Sequence, residues 1–273
     1  MDGLDRVRRG AAAVLAASLF GLLSTLTPAP KQAGLVAARS AAPDRHPAKP
    51  EPRPTAPPKP PPPDCARARC VALTFDDGPA ESTGELLDIL AARHVRATFF
   101  LIGENVAEHP ELVRREAAEG HELADHSYTH ADLGHASRKE ILSELNRTQD
   151  AIRRASGVTP VLLRPPYGST SGRLKKITRS LGLAQVMWTV DPLDWERRDT
   201  GYVEKRVLKE VKPGSIVLLH DIHPTTVKAV PRIVDELAAR GYVFVTVPEL
   251  FGGRLTPGEE YVQLNSGEAQ GLP

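Results

Sequence analysis

Two acidic side chains stand side by side at Asp76 and Asp77, at the end of the apolar run Leu73-Thr74-Phe75 and just before Gly78-Pro79. In a strand, neighbouring side chains leave on opposite faces, and burying either charge is costly without a partner. Further along, His126-Ser127-Tyr128-Thr129-His130 carries two imidazoles at i, i+4 spacing, which would bring both to one side of a helical turn and suit a single metal ion. One carboxylate with two imidazoles makes a three-ligand site with a position left for water, and the second carboxylate is then free to act as a base. That chemistry is hydrolysis. Each part also has a plainer reading: two solvated histidines, and an acid in the turn that Gly78-Pro79 makes.

These residues need elements to carry them. Val71 to Phe75, Ala97 to Ile102, His121 to Ala124, Val161 to Leu163, Ala184 to Met187, Ser215 to Leu219 and Tyr242 to Val245 read as strands. Helical stretches alternate with them. Ser82 with Glu85 has a capping-box pattern ahead of Leu86, Leu87 and Leu90; Pro110 and Gly120 bracket Glu111 to Glu119. Ser137 with Glu140 opens a helix whose Ile141, Leu142, Leu145 and Ile152 form a core face, and Gly157 closes it. Others are expected near Arg173 to Ser180, Tyr202 to Glu210 and Thr225 to Arg240. About seven strands alternating with helices predict an α/β fold with a parallel sheet closed into a (β/α) barrel, with an open doubly wound sheet as the competitor. The barrel accounts for the polar residues: Asp76, Asp77, His126, His130, Arg164, Asp191, Asp194 and His220 all follow carboxyl ends of strands, where such a fold keeps its chemistry.

With 273 residues, Lys+Arg 35 against Asp+Glu 34 leaves a net charge of +1, so no long-range field marks a partner such as nucleic acid. Many of the 25 prolines fall between Pro28 and Pro63, a composition that cannot pack a core and reads as an extended spacer. Arg6-Val7-Arg8-Arg9 followed by the mostly apolar stretch Ala11 to Leu26 has the charged and hydrophobic regions of an export signal, either cleaved or kept as an anchor. The expected organisation is thus 1–27 signal or membrane anchor, 28–64 linker, 65–252 catalytic domain and 253–273 a loosely packed tail. An extracellular place follows from it, secreted or held on the outer face of the cytoplasmic membrane, and a monomer is expected. Cys65 and Cys70 are the two cysteines, and in an exported protein a small disulfide loop is their expected use, with two free thiols as the alternative.

Five segments, taken in order, resemble the motifs of the polysaccharide deacetylase family, carbohydrate esterase family 4. They are Thr74-Phe75-Asp76-Asp77-Gly78, His126 to His130, Arg164-Pro165-Pro166-Tyr167-Gly168, Asp191-Pro192-Leu193-Asp194-Trp195, and Leu218-Leu219-His220-Asp221. The likeness runs from about Cys70 to Phe251. It implies a distorted (β/α) barrel and a metal-dependent hydrolase that removes N-acetyl groups from N-acetylglucosamine polymers such as peptidoglycan or chitin-like oligomers. An O-acetyl esterase of xylan type and a non-catalytic glycan-binding relative are the alternatives.

Carried over by position, Asp77, His126 and His130 resemble the metal ligands, with one divalent ion, zinc first and Co2+, Ni2+ or Mn2+ as substitutes. Asp76 resembles the general base and Arg164 the partner that keeps it ionised. The Tyr167 backbone N–H would hold an oxyanion. His220 matches the general acid, Asp194 its acidic partner, and Trp195, Leu218, Tyr167 and Pro166 would line the substrate pocket. Asp191 is expected to be structural, His223 is a rival for the acid role, and Asp125 would add a hydrogen bond or a charge behind a ligand histidine.

Overall fold

The computed structural model describes residues 63–264. The expected export segment and nearly all of the proline spacer lie outside the described residues. In chain order the elements are β1 (Arg69–Asp76), α1 (Thr83–Ala92), β2 (Thr98–Leu101), α2 (Gly103–Glu108), α3 (Pro110–Ala118), β3 (Glu122–Asp125), α4 (Arg138–Ser156) and β4 (Leu162–Leu163). Then follow α5 (Gly172–Leu181), β5 (Ala184–Val186), α6 (Asp194–Arg197), α7 (Thr200–Glu210), β6 (Ile216–His220), α8 (Pro224–Ala239), β7 (Tyr242–Phe244), α9 (Val247–Leu250) and β8 (Glu260–Tyr261).

The sheet order is β6-β1-β2-β3-β4-β5-β8, with β7 on the start of β1, and every pairing between these strands is parallel. β1 is long enough to serve three neighbours: Arg69 to Val71 pair with β7, Ala72 to Asp76 with β6, and Thr74 to Asp76 with β2. A bridge from Val190 to Val217 ties the chain after β5 back to β6, which curls the sheet into a distorted (β/α) barrel.

Strand alternation divides the molecule into layers. Val71, Leu73 and Phe75 of β1, Phe99 and Leu101 of β2, and Val217 and Leu219 of β6 pack outward against Leu86, Leu87, Leu90, Val227 and Val230 of the helices. The other set points inward, with Cys70, Ala72, Phe100, Ala124, Leu162, Val186 and Ile216 in one cluster. Continuing that inward parity two or four residues toward the strand ends brings up Asp76, His126, Arg164 and His220. Leu218 shares the inward parity, is buried, and is the register partner of Thr74, one inward step below the Asp76–His220 pair.

Two expectations change. Ser82 makes no cap for α1; its hydroxyl donates to the Asp221 carbonyl instead. The capping box at Ser137 and Glu140 is present, and α4 ends on Gly157 at φ 78°, a left-handed cap that glycine adopts without strain. Residues 253–264 are not a loose tail: β8 pairs with β5, Leu264 donates to Gly214, and Tyr261 packs on Phe251 at 4.9 Å. A two-residue strand of Glu260 and Tyr261 has no apolar run to announce it. At the opposite end of β1 from the acids, Cys65 and Cys70 form a disulfide.

Candidate active site

Asp76 and His220 are register partners across β1 and β6, the last residues of both strands. Asp77 follows with φ 71°, a left-handed conformation that aspartate tolerates better than most residues. That single residue ends the strand alternation, so both acids face the same site instead of opposite sides of the sheet. The turn is held from outside. Asn105 Nδ2 donates to the Asp77 carbonyl at 2.7 Å, and a Cβ on Gly78 would lie 2.5 Å from both carboxylate oxygens of buried Asp221. Asp221 in turn accepts the Thr83 hydroxyl.

The two histidines do not lie on a helix. The chain from His126 to His130 is a loop leaving β3, and it folds back through two left-handed residues, Ser127 at φ 64° and His130 at φ 57°. Such non-glycine positions cost on the order of 1–3 kcal/mol each, so the surroundings must enforce them. The outcome is that His126 Nε2 and His130 Nε2 each lie 3.4 Å from Asp77 Oδ1. One donor atom from each of the three residues falls within 4.8 Å of the others.

Donor chemistry in this group fits a cation. His126 Nδ1 lies 2.7 Å from the Arg164 carbonyl, which only accepts, so Nδ1 carries a proton and Nε2 is the ring atom turned toward Asp77. His130 Nδ1 is 3.1 Å from the Tyr167 hydroxyl. Asp77 Oδ1 is buried and makes no hydrogen bond, and 3.4 Å is too long for a good one. Burial pushes the Asp77 carboxyl up, but the His126 contact and the charges of His126, His220 and His130 outweigh it and bring it down to about 2. A buried carboxylate oxygen that makes no hydrogen bond and lies 3.4 Å from two histidine Nε2 atoms is what a divalent ion would complete.

Asp76 is paired differently. Its Oδ1 accepts from Arg164 Nη1 at 2.6 Å, and its Oδ2 lies 3.7 Å from His126 Nε2. Arg164 is fully buried and donates also to Thr74 Oγ1, Val186 O and Met187 O. Its guanidinium lies over the Phe100 ring at 4.1 Å. Burial pulls the Arg164 pKa down against the opposing pull of Asp76, yet guanidinium remains charged in any such setting.

His220 is held by Asp194. Oδ1 of Asp194 lies 2.8 Å from His220 Nδ1, and Oδ2 accepts the His220 backbone N–H and the Thr226 hydroxyl, both at 2.8 Å. Burial pushes the imidazole down, but the Asp194 hydrogen bond and the charges of Asp194, Asp76 and Asp77 push it up to about 9. The rival His223 begins the approach to α8 with its ring 6.0 Å from that of His220, and burial pushes its pKa down. Asp191 Oδ1 caps the Leu193 amide, a local turn contact.

Two aromatic residues flank the group. Tyr167 is 73% exposed and sits at φ 61° in the tight turn Pro166–Gly168, and Trp195 is 47% exposed at the start of α6. Pro166 is buried beside Tyr167.

Two carboxylates lie behind the histidine loop, Asp125, expected from the sequence, and Glu144, which its type alone did not single out. Asp125 Oδ1 accepts the Ser127 amide rather than a ligand histidine. Glu144, from the buried face of α4, accepts the Tyr128 and Thr129 amides. Its signal in the sequence was a carboxylate set among Ile141, Leu145 and Thr148.

The polysaccharide deacetylase family model matches residues 64–186. The chain is 42% identical over 192 residues to the peptidoglycan-N-acetylglucosamine deacetylase PgdA of Listeria monocytogenes serotype 1/2a (strain 10403S), covering 70% of this chain but only 41% of that relative. It is 39% identical over 203 residues to a chitooligosaccharide deacetylase of Bradyrhizobium sp. (strain ANU 289), covering 68% of this chain and 93% of that protein. Among solved structures, the family 4 carbohydrate esterase from Streptomyces lividans in complex with acetate is similar at TM-score 0.64 and 39% identity, covering 69% of this chain and 97% of that one.

Proposed function

The chain belongs to the polysaccharide deacetylase family, and from that footing we propose that it is a metal-dependent hydrolase removing N-acetyl groups from N-acetylglucosamine units of a cell-wall glycan. Peptidoglycan or chitin-like oligomers are the substrate, and acetate is released. The observation that carries this is the convergence of Asp77 Oδ1 with two histidine Nε2 atoms, directly beside a second acid that is held by a buried arginine.

Asp77, His126 and His130 would hold one divalent ion, zinc first for a nitrogen-rich set, and it would acidify a water molecule and polarise the amide carbonyl. Asp76 takes a proton from the attacking water as its oxygen bonds to the acetamide carbon. Arg164 keeps Asp76 charged and fixes its direction. The Tyr167 backbone N–H, aimed by the left-handed turn, donates to the oxyanion of the tetrahedral intermediate. His220, protonated through Asp194, then gives its proton to the sugar nitrogen as the carbon–nitrogen bond breaks, leaving acetate and a free amine. Trp195, Tyr167, Pro166 and Leu218 are assigned to the walls around the acetylated sugar.

The expected export signal and spacer would place this domain at the wall, outside the cytoplasm. Among the described residues no helix is long and apolar enough to cross a membrane, so any anchoring is assigned to residues 1–27. The test is to incubate the protein with N-acetylated chitooligomers, peptidoglycan and acetylxylan, then measure acetate and locate free amines by mass spectrometry. Free amines on glucosamine units are expected; acetate from acetylxylan alone would make it an esterase instead.

A further inference from the structure

The loop from His126 to His130 belongs to no helix or strand, yet most of its backbone polar groups are paired. The His126 amide donates to Leu101 O, and the carbonyls of Ser127 and Tyr128 accept from the Gly103 and Glu104 amides at the start of α2. The amides of Ser127, Tyr128 and Thr129 go to side chains. Ser127 N–H goes to Asp125 Oδ1 at 2.8 Å. The Tyr128 amide, the Thr129 amide and the Thr129 hydroxyl all donate to a single atom, Oε2 of Glu144, at 2.9, 2.8 and 3.1 Å.

Glu144 is buried on the apolar face of α4, where an unpaired carboxylate would be costly. Every hydrogen bond its side chain makes among the described residues is to this loop. An ionised carboxylate is acceptor-only, and its bonds to amides are roughly twice as strong as neutral ones.

We propose that Glu144 is the positioning residue of the ligand loop: by gathering three donors on one oxygen it fixes the backbone between Ser127 and His130, and so keeps both histidine Nε2 atoms turned toward Asp77. This rests on the metal-site reading of Asp77, His126 and His130 given above. Glu144 touches neither the ion nor the substrate, so its removal is expressed as weaker metal binding rather than as a lost proton transfer.

The experiment is a chelator-competition titration of Zn2+ and Co2+ into metal-stripped wild type, Glu144→Gln, Glu144→Ala, Thr129→Val and Glu140→Ala, with thermal melts of each. Glu140→Ala removes the side-chain acceptor of the exposed capping box of the same helix, and so controls for helix stability. Wild type is expected to bind one ion. Glu144→Gln is expected to bind it about 10- to 100-fold more weakly, as found for groups that orient metal ligands, with Thr129→Val weakened less. Glu140→Ala is expected to melt lower with unchanged affinity. Turnover by Glu144→Gln returns when excess metal is supplied. Unchanged affinity in Glu144→Gln overturns the proposal, and if Glu144→Ala does not fold, Glu144→Gln and Thr129→Val decide it. A wild type that binds no divalent ion overturns the metal-site reading first, which separates the two failures.

Discussion

Arg164 and Asp76 form an ion pair in which the arginine side chain is 0% exposed and the aspartate 3%, with Nη1 2.6 Å from Oδ1. Asp77, the next residue, has no such partner and faces two histidines instead. The adjacent acids are therefore separated in environment before any substrate arrives: one is directed by an arginine, the other is open to a cation.

Arg164→Lys keeps the charge but not the fork that reaches Thr74, Asp76, Val186 and Met187 together. Its kcat/KM is expected to fall about 100-fold or more, within the range that a misplaced general base costs. Arg164→Met leaves Asp76 buried without its partner and is expected to lower stability by about 3–5 kcal/mol. Chemical denaturation and steady-state kinetics check both. Near-normal turnover in Arg164→Lys would remove the arginine from any role in aiming Asp76.

The His220 pKa lies above its ordinary 6.5, at about 9, first against burial and then by virtue of Asp194. A pKa raised on folding contributes stability that is complete below 6.5 and is lost as pH rises through about 9. In the proposed reaction this proton goes to the leaving nitrogen, so kcat/KM is expected to decline on the alkaline side as His220 deprotonates. Asp194→Asn removes the hydrogen-bonded charge and should move that alkaline limb to lower pH by about 1–3 units. A pH–rate profile of wild type and variant reads the shift directly. An unmoved limb would show that the group titrating there is not His220.

The Cys65–Cys70 bridge closes a small loop at the opposite end of β1 from Asp76. From loop length alone it contributes about 2 kcal/mol. Replacing both cysteines by serine is expected to lower Tm while leaving kcat unchanged. A drop in kcat at temperatures well below the new Tm would mean that the bridge reaches the catalytic rim through β1.

Much of this was legible because it depends on short-range pattern. The β1 run, with outward Leu73 and Phe75 and inward Thr74 and Asp76, is period-2 alternation; α4 announces itself by Ser137, Glu140 and Gly157. What spacing could not give was the path of the His126–His130 loop. A four-residue separation equally fits a helical turn and a loop with left-handed Ser127 and His130, and the choice is made by Asp125 just before the loop together with Glu144, which is brought to it only by folding. Ser82 shows the same limit: its hydroxyl was claimed by Asp221, distant in sequence, rather than by its own helix. β8 was missed because two residues carry no periodicity.

The central claim is the division of work between Asp76 and Asp77, and the most direct test is to measure bound metal and N-deacetylation together for Asp76→Asn and Asp77→Asn. The prediction is that Asp76→Asn keeps one divalent ion and loses turnover by roughly 100- to 10,000-fold, while Asp77→Asn loses the ion itself. Equal loss of metal in both variants, or retained turnover in Asp76→Asn, would contradict it.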